Sequence, residues 1–201
     1  MALIFLTQTT NSVESVAHMP PSARLTLHAP SLDATHAIAA AIAGLGRAGD
    51  VIVLAGEMGA GKTAFAQGFG RALGVAEPIT SPTFTLVHTY DSPTVTLHHA
   101  DVYRLEQYAE VADLALGELA EFDGIVLIEW GDVVSARLGE HLEVRLVTPD
   151  SALDPDDDDD DVDVGAGVPV TRDIVVTPGG AQWAARWALL ERAVAPWRVP
   201  C

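Results

Sequence analysis

Residues 56–63 read Gly-Glu-Met-Gly-Ala-Gly-Lys-Thr, which satisfies the pattern G-x-x-x-x-G-K-[ST]. No other part of the chain restricts the fold as strongly. The octapeptide works as the turn between a buried strand and a helix, because the helix must aim its free N–H groups at an anion. Both flanks fit. Val51 to Ala55 is an unbroken apolar run of five, as in a strand buried on both faces of a parallel α/β sheet. The spacing after the loop predicts a helix from about Gly61 to Leu73, stopped by Gly74.

Each fixed position has a chemical reason. Gly56 and Gly61 let backbone amides turn inward around a phosphate without a Cβ in the way. Glu57, Met58, Gly59 and Ala60 between them serve mainly through their backbone. Lys62 reaches the β- and γ-phosphates, and the Thr63 hydroxyl binds Mg²⁺. Lys62 is the only lysine in a chain with ten arginines.

A phosphate loop of this kind needs an acidic residue at the end of a neighbouring parallel strand, near the Mg²⁺. The run Ile125-Val126-Leu127-Ile128 ends in Glu129, followed by Trp130. The bland alternative is an ordinary strand-end carboxylate. Asp101, in His99-Ala100-Asp101-Val102-Tyr103-Arg104, is the second candidate. Its alternative is a helix N-cap. Ser81-Pro82-Thr83-Phe84 stands where such proteins often carry a nucleotide-sensing switch, although Ser-Pro is also simply a turn.

The rest of the pattern is α/β. Ala23 to Leu27 alternates as an edge strand does. Ser31 is a good N-cap with Asp33 in the first turn, and Ile38, Ile42 and Leu45 follow at helical spacing until Gly44, Gly46 and Gly49. Thr85 to Tyr90 and Val95 to His99 read as two strands around Asp91-Ser92-Pro93. Ala109 to Phe122 reads as a helix, with Val111, Leu114, Leu119 and Phe122 on one side. Leu142 to Val147 and Asp173 to Val176 read as strands. Gln182 to Ala195 reads as a helix with Trp183, Trp187, Leu190 and Val194 on one stripe, expected to pack on the domain.

Length and charge bound the function. The 201 residues suit one domain. Residues 1–24 are expected to be a mobile N-terminal extension, or the product of an upstream start codon. Residues 25–180 are the expected P-loop domain, with an acidic loop at about 150–168, and 181–201 a C-terminal helix and tail. The net charge is −17, so a face gripping a nucleic-acid backbone or an anionic membrane is disfavoured. Eight Asp fall between Asp154 and Asp163, read as a solvated loop rather than a Ca²⁺ site, which needs ligands spaced around a turn. His98 and His99 lack a third ligand at metal spacing and are read as a strand-end pair. The only cysteine, Cys201, excludes an intramolecular disulfide, and no run is long enough to span a membrane. The expectation is a soluble cytoplasmic protein.

The motifs together resemble the TsaE (YjeE) family of P-loop ATPases in bacterial tRNA threonylcarbamoyladenosine synthesis. Four elements match in order: the loop at 56–63, Ser81-Pro82-Thr83-Phe84, His99-x-Asp101-x-Tyr103-Arg104, and Glu129-Trp130. The resemblance covers roughly residues 25 to 147 and resumes at Arg172. It implies a P-loop NTPase-like three-layer α/β fold with a mixed, mainly parallel central sheet. It implies ATP and Mg²⁺ as cofactors and the TsaB–TsaD heterodimer as partner. TsaD transfers the threonylcarbamoyl group to the adenosine beside the anticodon, and the ATPase supports repeated turnover. By resemblance, Lys62 holds the phosphates, and Thr63 and Glu129 hold Mg²⁺. Asp101 acts near the attacking water or in the second metal shell. Thr83 sits in the switch, and Trp130 packs beside the nucleotide or a partner. Arg172 lies near the nucleotide, and Leu32 borders its base.

The chain departs from the family pattern in two places. Glu57-Met58 replaces a frequent Asp-Leu, where only backbone matters. Ala64 replaces a frequent second Thr, which removes a hydroxyl near the phosphates. Two other readings compete: a small-molecule kinase, which would need lid arginines where the chain offers only Arg71 and Arg104 between the loop and Glu129, and a nucleotide-binding adaptor without hydrolysis, against which Lys62, Thr63, Asp101 and Glu129 are all present.

Overall fold

The computed structural model describes residues 23–104, 116–121, 124–131, 135, 138–148 and 171–199. Residues 1–22 of the extension expected at 1–24 and the acidic loop lie outside the described residues, as do Val111, Leu114 and Phe122 of the helix expected at 109–122.

Seven strands form one sheet: β1 (Leu25–Ala29), β2 (Val51–Ala55), β3 (Val87–Tyr90), β4 (Thr96–Asp101), β5 (Gly124–Glu129), β6 (His141–Val147) and β7 (Arg172–Gly179). Among the described residues four helices accompany them: α1 (Leu32–Ala43), α2 (Lys62–Leu73), α3 (Leu116–Glu121) and α4 (Ala181–Ala193), the last followed by a 3₁₀ turn at Ala195–Trp197. The strand order is β1-β7-β6-β2-β5-β4-β3. The four central strands β6, β2, β5 and β4 run parallel. The flanks are antiparallel, β3 on one side and β7 with β1 on the other. The sheet is therefore mixed, with its parallel part at the centre.

The central strands are buried as their apolar runs require. All five residues of β2 and all six of β5 are buried. Alternation divides them between two cores. Ile52, Leu54, Leu97, Ile125 and Leu127 join the core shared with α1, α2 and α4. Val51, Ala100, Val126 and Ile128 face the smaller core, where Leu116 and Ala120 of α3 pack. This parity puts His99, Asp101 and Glu129 on the α2 face, since they follow Leu97 and Leu127 at two-residue steps.

Helix α1 begins as expected: Ser31 Oγ accepts from the Ala34 N–H at 3.1 Å. The Trp stripe of α4 is buried, with Trp183 1% and Leu190 0% exposed. Arg186 on the same helix donates to Leu45 O at 2.7 Å and to Asp50 Oδ2 at 2.8 Å, tying α4 to the turn before β2. The N-terminus of α4 has no cap within its own segment. Glu140 supplies one from across the chain, accepting from the N–H groups of Ala181 at 3.2 Å and Gln182 at 2.9 Å.

Some boundaries differ from expectation. Strand β3 starts at Val87 rather than Thr85, because Leu86 takes φ 65° and its N–H closes a turn onto Pro82 O at 2.7 Å. Strand β4 continues to Asp101 and pairs with β5 through Glu129. Strand β7 opens at Arg172 and continues to Gly179 along β6. Among the described residues no helix is long and apolar enough to cross a membrane.

Candidate active site

The loop between β2 and α2 is shaped by its glycines. Gly56 has φ 132°, and a Cβ there would strike the Leu146 carbonyl oxygen. Gly61 has φ 99°, and a Cβ there would strike the Arg172 guanidinium. Gly61 also caps α2 with no side-chain hydrogen bond, so the first-turn amides are left to the loop's mouth. Ala60 is buried, while Glu57, Met58 and Gly59 are exposed. The Lys62 ammonium donates to Gly56 O and Glu57 O, both at 2.8 Å. It also lies 3.5 Å from the centroid of the Trp130 ring. Trp130 holds φ 62°, and its ring meets that of Tyr103 at 4.7 Å.

Glu129 closes the floor. Thr63 Oγ1 donates to Glu129 Oε1 at 2.9 Å and approaches Oε2 at 3.3 Å. His99 Nε2 meets the same Oε1 at 2.9 Å. A hydroxyl and a carboxylate at the loop's mouth are the hard oxygen donors that Mg²⁺ accepts beside phosphates and water, so these residues fit that ion. Asp101, paired in register with Glu129, sits one strand over. Its Oδ2 accepts from Thr83 Oγ1 at 2.6 Å and Ser81 Oγ at 3.2 Å. Its Oδ1 accepts from the Tyr103 N–H at 2.9 Å, two residues on, which makes an Asx turn. Ser81 and Thr83 are thus joined directly to the second acid.

These groups line an open cleft of about 410 Å³ that includes Met58, Lys62, Thr63, Thr83, Asp101, Glu129 and Trp130. Arg172 lies behind Gly61. It is 4% exposed, and its Nε and Nη1 have no hydrogen-bond partner among the described residues. Burial pushes its pKa down from the ordinary arginine value. Leu32, at the start of α1, is exposed and is not among the residues lining the cleft.

The two adjacent histidines part company. As successive strand residues they point to opposite faces. His98 Nδ1 lies 3.0 Å from Thr89 Oγ1, whereas His99 points at Glu129. They stand inside β4 rather than at its end. Sequence reasoning treated His99 only as part of a motif and a histidine pair. The available signal was its two-residue offset from Asp101, which puts both on one strand face. Ser81 was likewise read only within its tetrapeptide.

Comparison with known proteins places this architecture. The family model described as "Threonylcarbamoyl adenosine biosynthesis protein TsaE" matches residues 29–153. The chain is similar to proteins named tRNA threonylcarbamoyladenosine biosynthesis protein TsaE. The one from Bacillus subtilis is 41% identical over 104 residues, covering 52% of this chain and 65% of that one. The one from Streptomyces coelicolor is 35% identical over 148 residues, covering 71% and 89%. The match thus spans about two thirds of the Bacillus relative. The crystal structure of YdiB from Bacillus subtilis is similar, with TM-score 0.64 and 28% identity over 85% of this chain and 95% of that chain. A match over most of the ordered sheet, from the end of β1 through β6, shows that this chain belongs to the TsaE family.

Proposed function

We propose that this chain is the Mg²⁺-dependent ATPase that serves tRNA N6-threonylcarbamoyladenosine modification, working in the cytoplasm with the TsaB–TsaD heterodimer. The observation that carries the reading is the Thr63–Glu129 contact of 2.9 Å at the mouth of the phosphate loop. It brings the last residue of one parallel strand to the first turn of the loop's helix, as metal-assisted phosphoryl chemistry requires. The names of the relatives supply the pathway.

The chain's residues divide the work. The turned backbone of Gly56 to Gly61 and the first amides of α2 hold the phosphates. Lys62 sits among the loop carbonyls and turns to the β- and γ-phosphates. Arg172 brings N–H groups that have no partner among the described residues behind Gly61 and offsets phosphate charge from that side. Leu32 borders the base. Bound Mg²⁺ neutralises charge developing on the phosphate oxygens, and Thr63 with Glu129 would hold it. Asp101 faces the cleft beside Glu129 and governs the attacking water, by orienting it or by taking its proton. Ser81 and Thr83 hold that carboxylate through their hydroxyls, so movement of the switch segment changes the geometry of Asp101. The acidic surface leaves tRNA to the partners.

Phosphate release from ATP and Mg²⁺ tests the reading, measured with and without purified TsaB–TsaD and compared with Lys62→Ala. The expected result is hydrolysis that rises with the partners and is lost in the variant. ATP left intact in every mixture, together with no association with the heterodimer, rejects it.

A further inference from the structure

We propose that His99 is a positioning residue for the metal-binding carboxylate, holding Glu129 in the rotamer that faces Thr63 by donating from Nε2 to Oε1. This rests on the Mg²⁺–nucleotide reading of the site.

The contact is built into the sheet. Strands β4 and β5 run parallel with His99 opposite Leu127 and Asp101 opposite Glu129. His99 therefore reaches forward along the sheet to the next carboxylate on its own face. The His99 side chain is 0% exposed and the Glu129 side chain 4%. Water does not compete for the bond. Oε1 accepts from both His99 and Thr63, so one oxygen is pinned from two elements. A glutamate left to itself would sample several rotamers and lose entropy on each metal encounter. Partners of this outer kind fix ligating carboxylates in metal sites generally.

The choice of donor matters. An ionised carboxylate only accepts, so the hydrogen lies on Nε2. His99 Nδ1 is buried with no partner among the described residues, so the ring's contact with Glu129 is the one that fixes its orientation. The Nε2–H orients the carboxylate toward Thr63.

The test is binding of a fluorescent ADP analogue to the full chain, in EDTA and across a Mg²⁺ titration. In the parent, Mg²⁺ tightens binding. His99→Leu is expected to raise the Mg²⁺ concentration for half-maximal effect about 10-fold, with affinity in EDTA unchanged. His99→Gln carries an amide N–H at a similar reach and is expected to restore the parent's Mg²⁺ response. His99→Asn, too short to reach, is expected to behave like His99→Leu. If the leucine variant does not fold, the contrast between Gln and Asn decides. The inference is overturned if the Mg²⁺ response is unchanged in Leu or Asn, if Gln loses as much as Asn, or if affinity falls equally in EDTA. A parent without any Mg²⁺ effect rejects the site reading itself, and the inference with it.

Discussion

Thr63 on α2 and Glu129 at the end of β5 are 66 positions apart, and the Thr63 hydroxyl donates to the Glu129 carboxylate at 2.9 Å. The pair joins the phosphate loop to the strand beside it. Glu129→Gln keeps the size and an acceptor for Thr63 but removes the charge. Hydrolysis is expected to fall about 10²–10³-fold, the scale seen when an electrostatic transition-state partner is lost. Nucleotide affinity in EDTA should stay close to the parent's, because the loop amides are untouched. Phosphate release and fluorescent-nucleotide titration check the two halves separately.

Gly56→Ala is expected to destabilise the fold by about 1–3 kcal/mol and to weaken nucleotide binding. Its new Cβ would meet the Leu146 carbonyl, and the φ of 132° disfavours any side chain. That carbonyl is backbone within β6 and has little room to shift. Urea unfolding of the variant beside the parent measures the cost.

The buried Asp50–Arg186 pair gives a stability prediction away from the site. Asp50→Ala leaves the Arg186 guanidinium, 5% exposed, without its carboxylate, which typically costs about 3–5 kcal/mol. Hydrolysis per folded molecule should be unchanged. A lowered urea midpoint with intact specific activity is the expected outcome.

Glu140→Ala removes the remote cap of α4. Losing acceptors for two first-turn amides is expected to cost about 1 kcal/mol. Glu140→Gln, which retains an acceptor, should recover most of it. Thermal unfolding of the two variants separates the cap from any general surface effect.

Stability should also depend on pH near neutrality. Burial pushes the His98 pKa below its ordinary value of 6.5. His36 is lowered as well, first by burial and then by Arg71 and Arg172, against the opposing charge of Asp33. Both native histidines resist protonation, so below about pH 6.5 the unfolded chain binds protons first. Their contribution is complete above that pH and is lost as the pH falls toward the lowered native values. Urea midpoints at pH 8, 7, 6 and 5.5 should fall across the acid steps, and His98→Gln should flatten part of the slope.

Much of this protein is local and was legible in order along the chain. The apolar run of β2, the glycines of the loop, Lys62 and Thr63 at the start of α2, and the Ser31 cap of α1 each depend on neighbours within a few residues. Period and turn chemistry act at that range, so composition and spacing suffice. The positions of Asp101 and Glu129 at strand ends were legible for the same reason. What they touch was not. That β4 lies beside β5, so that Asp101 pairs with Glu129 and His99 reaches the same carboxylate, depends on strand order and register. Those are set by how several elements share one core. Glu140 capping α4 and Arg186 meeting Asp50 belong to the same class. Each joins groups that local spacing cannot relate, and each forms only once the sheet has brought distant segments side by side.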